Sequence, residues 1–330
     1  MLSDLEREDT SLNKRKVILD CDPGHDDAMA MLMAIAAENI DLVAVTTSAG
    51  NQKPERTFAN ARKLLALAHR EDIPVAMGAQ RPLLRELIIA EDVHGKTGLD
   101  GADLPDPSVP PLSTSANDLI ADILSKSTEP VTLVVTGPMT NAAIFLLSHP
   151  ELKGKIAQIS YMGGACFGGN ITPQAEFNIY VDPEAAKIVV DSEIPTAMFG
   201  LDVTLKAQLF NEDIQYIETI GNPVAEVMAN LLKFFNLTTT KPFLAAPDHV
   251  EGVHMHDPCA MAYIIDPSLF RIVSMHVDID TDHGISAGST VVDYDNVLGK
   301  SKNVDVAFEI NLPKFRDLVF KSMAFYNKVK

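Results

Sequence analysis

The sequence predicts a doubly wound α/β fold: an open, mostly parallel sheet with helices on both faces, in a single domain with a small C-terminal β addition. Three observations carry that reading. Between residues 17 and 201, short apolar or β-branched runs alternate with helix-length segments, the rhythm of repeated βαβ units. The run at 131–136, VTLVVT, lacks a polar alternation, as expected of a strand covered on both faces. The strands end in turns of small or polar residues, which brings side chains distant in sequence to one sheet edge.

The elements follow in order. Residues 17–19 form a buried strand, Pro23 and Gly24 turn the chain, and 28–37, rich in Ala, Met and Leu, is a helix. Residues 40–47 (IDLVAVTT) are a second strand ending in the turn at 48–51, and 54–69 is a helix with Pro54 in its first turn. A short strand at 74–77 precedes a loop-rich stretch, 81–112, holding Asp92, His94 and Lys96 beside Gly95 and Gly98, then PDPSVPP. Helix 115–127 is capped by Ser115, and strand 131–136 turns at Gly137 and Pro138 into a helix carrying Asn141. Strand 156–162 runs into Gly163, Gly164, Gly168 and Gly169; helix 183–191, strand 196–201 and a mainly helical 211–237 come next. Residues 241–256 read as an irregular loop, 257–265 as a helix with Pro258 in its first turn, 269–310 as strands with long connections, and 313–328 as the closing helix. Residues 1–14 are polar and charged, and are expected to be a mobile lead-in to a domain spanning 15–330.

Chemistry concentrates where the first strand passes into the first helix. Asp20, Asp22, Asp26 and Asp27 fall within eight positions there. At ~4 Å and an effective dielectric near 20, each like-charge pair costs about 4 kcal/mol. A helix N-terminus offsets only about 0.3–1 kcal/mol per charge, so protons or a cation must supply the rest. The ligand atoms on offer are hard oxygens, which favour Ca²⁺ or Mg²⁺ over Zn²⁺. A single Asp here would read as a cap, but four exceed what capping needs. An EF-hand is excluded: counted from Asp20, its obligatory Gly and Glu positions hold His25 and Met31.

Composition narrows the class. A net charge of −18 argues against nucleic acid or an anionic membrane surface as partner. The three cysteines, Cys21, Cys166 and Cys259, form neither a metal-ligand spacing nor a disulfide framework, which suits a reducing, cytoplasmic location. No apolar run fits a signal peptide or spans a bilayer.

Other polar clusters are weaker alone. Asp257 in His256-Asp257-Pro258 reads first as a helix cap; beside an acidic site lacking a cation it becomes a further ligand, with His256 a proton donor next to it. His254 and His256 form an HxH pair that can bind Zn²⁺, but no further His or Cys ligand is evident. Asn170, Glu176 and Asn178 are equally readable as turn residues. His94 stands alone in its loop, which favours a surface or substrate-rim position. The glycines at 163–169 resemble a phosphate cradle weakly, and no GxxxxGK[ST] or GxGxxG follows the first strand.

With these clusters in place, the chain resembles the inosine–uridine-preferring nucleoside hydrolases. The resemblance rests on DCDPGHDDA at 20–28, AGN at 49–51, VHGKTG at 93–98, VTGPMTN at 135–141, MGG at 162–164, AEFN at 175–178, DPEAA at 182–186 and HDPCA at 256–260, and runs from about Val17 to the C-terminal helix. It implies a Rossmann-like α/β domain, a tightly bound Ca²⁺, and hydrolysis of the N-glycosidic bond of ribonucleosides to ribose and free base. It also implies a role in purine or pyrimidine salvage and a homo-oligomer, dimer or tetramer. Position by position, Asp22, Asp27 and Asp257 would bind calcium through carboxylates and Thr136 through its backbone carbonyl. Asp22 would take the proton from a calcium-bound water. Asp26, Asn51, Glu176 and Asn178 would hold the ribose hydroxyls, with Met162, Asn170 and Phe177 nearby and Asp20 as an acceptor behind them. His256 matches the acid for the leaving base and His94 a histidine near the base pocket.

Those residue types suit the reaction. Cleavage at an anomeric carbon passes through an oxocarbenium-like state, and carboxylates around the ring stabilise that charge more than they stabilise neutral ribose. The chain departs from the pattern at 241–255, where relatives can carry tyrosines near the base; here Phe243, Asp248, His249 and His254 occupy the segment. Two other readings compete. One is a Mg²⁺-dependent phosphohydrolase using Asp20 and Asp22 as a DxD pair, against which Pro23-Gly24 and the lack of a basic phosphate clamp weigh. The other is a metal-stabilised nucleoside-binding protein without turnover.

Overall fold

Strand β1 (Arg15–Cys21) is apolar on both sides: Val17, Leu19 and Cys21 enter one core and Ile18 the other. The computed structural model describes residues 14–239 and 252–329. The expected lead-in, all but its last residue, and the loop residues Phe243, Asp248 and His249 therefore lie outside the described residues. After β1 come α1 (His25–Ala36), β2 (Ile40–Thr47), α2 (Pro54–Leu67), β3 (Val75–Met77), the short α3 (Glu91–His94), α4 (Ala116–Lys126), β4 (Val131–Val135) and α5 (Thr140–Ser148). Then follow β5 (Ile156–Met162), α6 (Phe177–Val181), α7 (Pro183–Val190), β6 (Thr196–Phe199), α8 (Leu201–Thr204), β7 (Gln208–Leu209), α9 (Asn211–Thr219) and α10 (Pro223–Thr239). The remainder holds β8 (Val253–His254), α11 (His256–Ile265), β9 (Phe270–Met275), β10 (Val277–Ile279), β11 (Thr290–Val292), β12 (Val304–Ile310) and α12 (Leu312–Phe325).

Among the described residues the main sheet has eight strands, ordered β3-β2-β1-β4-β5-β6-β12-β9. All neighbours pair in parallel except β9, which runs antiparallel to β12 at the edge. The strand order reverses between β1 and β4. At such a switch point the connections leave in opposite directions and open a crevice outside the carboxyl ends of the strands. Asp22 follows β1 directly and Thr136 follows β4 directly, so the expected site falls on that crevice.

Three differences from the sequence reading have physical causes. Helix α1 begins at His25 rather than Ala28, because the Gly24 N–H is taken by the Asp27 carboxylate at 3.0 Å; Asp26 and Asp27 thus lie inside its first turn. Residues 269–310 do not form a separate addition: β9 and β12 extend the main sheet, and only β10 and β11 pair apart from it as a small antiparallel ribbon. The helical stretch at 211–237 breaks into α9 and α10 around Gly221, whose φ of +77° a helix does not use.

Helix α1 is buried along all 12 of its residues, including its acids. It packs on α11 and α12, and the Tyr326 hydroxyl donates to the Leu32 carbonyl at 2.7 Å. Helices α1, α2, α10, α11 and α12 fill the core on one face, and α4, α5 and α7 that on the other. Among the described residues no helix is long and apolar enough to cross a membrane. Because Leu32 is fully buried in α1, Leu32→Ala is expected to cost about 2–5 kcal/mol, measured as a lower urea midpoint at unchanged slope.

Candidate active site

Five carboxylates, those of Asp20, Asp22, Asp26, Asp27 and Asp257, are buried at the carboxyl edge of β1 and the start of α11. Four of them accept hydrogen bonds from neutral donors. Asp20 Oδ1 accepts from the Thr46 hydroxyl at 2.6 Å and from Asn141 Nδ2 at 2.7 Å. Asp22 Oδ2 accepts from the Asn51 N–H at 2.6 Å. Asp27 accepts from the Thr136 hydroxyl at 2.7 Å and from Asn51 Nδ2 at 3.0 Å. Asp26 Oδ2 accepts from the Asp257 N–H at 3.3 Å, which ties the N-terminus of α1 to that of α11 across 231 positions of sequence. Asp20 Oδ2 and Asp22 Oδ1 are sealed from solvent and have no hydrogen-bond partner among the described residues. Gly50 and Gly137 make room: a Cβ at Gly50 would lie 2.1 Å from Asp22 Oδ2, and one at Gly137 2.6 Å from Asp22 Oδ1.

Burial dominates the electrostatics. It pushes Asp20 and Asp26 up to about 7, with the Asp27 charge adding to both. It raises Asp22 and Asp257 well above the ordinary carboxylate range, again with neighbouring acids contributing. Carboxylate oxygens of Asp26, Asp27 and Asp257 lie within 4.8 Å of one another. An all-oxygen donor set, an orphaned Asp22 Oδ1 and uncompensated acids together fit a hard divalent cation. Asp26 thus stands in the close group where Asp22 was expected beside Asp27 and Asp257. The Thr136 carbonyl faces the same edge and already accepts from Asn178 Nδ2 at 2.8 Å.

Above these acids lies a cavity of about 450 Å³. Asp26, Asn51, Thr136, Met162, Asn170, Glu176, Phe177, Asn178, His94, His256 and Asp257 all line it, so residues expected from seven separate motifs converge. Asp22 and Asp27 sit behind Asn51 and Thr136 rather than on the wall. Glu176 caps α6, accepting from the N–H groups of Asn178 at 3.0 Å, Ile179 at 3.2 Å and Gly164 at 2.8 Å; burial pushes it up to about 7. The Gly164 amide is therefore taken by a protein carboxylate, and no Lys or Arg lines the cavity among the described residues. Both facts disfavour a phosphate cradle.

The cavity is also lined by the apolar Ile171, by Phe235 and by the histidines 94, 254 and 256. His94 is not a rim residue: it ends α3 and is only 5% exposed, because Gly24 leaves space for its ring. Its Nδ1 lies 3.1 Å from His25 Nδ1. His256 Nδ1 lies 2.7 Å from the Thr204 hydroxyl, and burial pushes its imidazolium down to about 3. His254 Nδ1 is 3.1 Å from the Leu205 carbonyl, and no third His or Cys joins the pair among the described residues. Sequence reasoning assigned no role to His25, Asn141, Thr204 or Phe235. For His25 a signal existed, an imidazole set inside the acidic motif; for the others only contacts through space reveal the role.

The comparisons agree with this geometry. A family model described as inosine-uridine preferring nucleoside hydrolase matches residues 17–317. The pyrimidine-specific ribonucleoside hydrolase RihA of Photobacterium profundum is 51% identical over 312 residues, spanning 94% of this chain and 99% of that protein. Its namesake from Escherichia coli O8 is 50% identical over 313 residues, spanning 94% and 98%. A solved structure, a purine-preferring ribonucleoside hydrolase from Gardnerella vaginalis, matches with a TM-score of 0.88 at 29% identity, covering 96% of this chain and 100% of that one.

The raised acids give a signed prediction for chelated protein. A carboxyl held at about 7 in the fold, against 3.8 ordinarily, binds its proton more tightly folded than unfolded. The stability it adds is complete below 3.8 and is lost as pH rises through about 7. The Tm of chelated protein should fall between about pH 5 and pH 8, and added Ca²⁺ should raise it more at the higher pH. An equal gain at both would contradict the burial of these charges.

Proposed function

The chain belongs to the inosine-uridine preferring nucleoside hydrolase family, and from that premise we propose that the cavity hydrolyses pyrimidine ribonucleosides, with Ca²⁺ held by the acidic cluster. N-glycosidic hydrolysis of ribonucleosides goes with the family. The preference for pyrimidines is our reading, supported by the names of the relatives near 50% identity. The observation that carries the reaction is the pairing of five buried acids with a cavity lined by Asp26, Asn51, Glu176, Asn178 and Asp257 together with Phe235 and three histidines.

Asp27, Asp257 and Asp22, with the Thr136 carbonyl, are the proposed calcium ligands, and Asp26 is close enough to contribute. A bound divalent cation orients water and lowers its pKa. Asp22 accepts the proton of the attacking water at Oδ1, the oxygen that has no partner in the fold. Asp26, Asn51, Glu176 and Asn178 hold the ribose hydroxyls, and their negative ends face the ring as positive charge grows on it. Asn178 spends its amide N–H on the Thr136 and Met162 carbonyls, which leaves its oxygen for a hydroxyl. Asn170 holds the first turn of α6 by accepting from the Phe177 N–H at 2.9 Å, and Asp20 anchors β2 and α5 behind the site. The base departs toward His256. Its part-buried ring is neutral before the base leaves; negative charge growing on the departing base raises the ring's pKa, so that it takes a proton from solvent and passes it to the base. A cytoplasmic homo-oligomer serving nucleoside salvage belongs to the same reading.

Asp22→Asn should lower kcat with uridine by about 10²–10⁴-fold and leave the fold intact by circular dichroism; near-normal turnover would remove Asp22 as the base. His256→Ala should slow uridine more than p-nitrophenyl riboside, whose leaving group needs no proton, and an equal loss on both would end the acid role. A reducing-sugar assay should give faster release from uridine and cytidine than from inosine, and none after chelation.

A further inference from the structure

Of the segment VHGKTG at 93–98, Val93 and His94 line the cavity and the rest do not. His94 ends α3, a helix of four residues, and a single turn does not hold its shape unaided. What holds it comes from neighbouring turns of the site. Ahead of α3, the Ala90 N–H donates to the Asn51 carbonyl at 3.2 Å. Behind it, Gln52 Nε2 donates to the Gly95 carbonyl at 3.1 Å. Two positions on, the Thr97 carbonyl accepts from Asn60 Nδ2 at 2.9 Å. The same nitrogen donates at 3.0 Å to the carbonyl of Pro23, in the turn between Asp22 and Asp26. These three acceptors are backbone oxygens, which cannot donate. Each amide must therefore present its NH₂ group, and neither can be turned over without losing its bonds. Gln52 and Asn60 are 2% and 6% exposed, and neither lines the cavity. Gly98, at φ +86°, lets both approach: a Cβ there would lie 2.9 Å from Asn60 Nδ2 and 3.2 Å from Gln52 Cγ. The His94 ring in turn receives the His25 N–H at Nδ1 over 3.3 Å, a reach that outward drift of the segment would break.

We propose that Gln52 and Asn60 are positioning residues: their amides pin the 93–98 segment to the turns at Asn51 and Pro23, and so fix where His94 meets a bound nucleoside. The substrate in that statement rests on the nucleoside-hydrolase reading of the cavity; the pinning does not. The two amides differ in reach. The Gln52 NH₂ group bonds only the His94 segment, whereas that of Asn60 joins the segment to the acidic turn. Deleting the first should therefore disturb His94 and spare the acids.

The test has two arms, built on Gln52→Met and Asn60→Leu, which keep side-chain bulk and delete the N–H groups. In the first, amide hydrogen exchange is followed in Ca²⁺-loaded protein at the His94 and Gly95 N–H groups, which bond the Ala90 and Glu91 carbonyls. Their exchange should quicken about fivefold in Gln52→Met and further in Asn60→Leu, which loses two bonds, while amides of α7 keep their wild-type rates. Wild-type rates at His94 and Gly95 in Gln52→Met overturn the pinning, whether or not the chain hydrolyses anything and whether or not Asn60→Leu folds. In the second arm, Gln52→Met should raise KM for uridine about fivefold, with kcat and calorimetric Ca²⁺ affinity within about twofold of wild type, the pattern of lost binding rather than lost chemistry. In a His94→Ala background the same substitution should change KM by less than about twofold, because the ring it positions is gone. An unchanged KM, a rise that persists without the His94 ring, or a matching fall in kcat and Ca²⁺ affinity overturns the positioning role. Absence of uridine turnover in wild-type protein contradicts the hydrolase reading instead, and the exchange rates then decide the pinning alone.

Discussion

Five carboxylates buried together, with no Lys or Arg among the described residues lining their cavity, set the terms for the rest of this structure. Like charges at such spacing repel by several kcal/mol per pair, and desolvation acts in the same direction. Neutral donors relieve part of this: the Thr46, Thr136 and Asn141 side chains and the Asn51 backbone each reach one acid. Such bonds contribute about 1.5–3 kcal/mol each to a charged group and cannot match the whole repulsion. The remaining balance comes from protons, as the raised Asp20 and Asp26 indicate, or from a cation that takes their place.

The fold meets that demand by location. The reversal of strand order between β1 and β4 opens a crevice in which loops after several strands meet without crossing. Glycines at 50 and 137 bring two of those loops onto Asp22 at distances no side chain permits. Helix α11 arrives from the far end of the chain and places Asp257 against Asp26. The cavity lining therefore combines acids with Phe235 and three histidines.

Much of this is legible from residue order, and the limits follow from what order encodes. Asp20 to Asp27 announce a cation because four acids near one turn conflict on Coulombic grounds alone. The strand–turn–helix rhythm locates the edge where Asn51, Thr136 and Asn178 meet. Strands β9 and β12 look locally like a side structure, since strand pairing is decided by distant partners that a local run does not reveal. A histidine in a glycine-containing loop looks exposed, which puts His94 at the rim; only the cavity left by Gly24 explains its burial. Thr204 carries no pattern of its own and acquires meaning through the ring it touches.

The central claim is that these acids form a site for one divalent ion per chain. Calorimetric titration of metal-stripped protein with Ca²⁺ tests it most directly. The account predicts a single tight site that is lost in Asp27→Asn and in Asp257→Asn although both variants remain folded. A stripped protein that takes up no Ca²⁺, or binds it equally well in those variants, would contradict it.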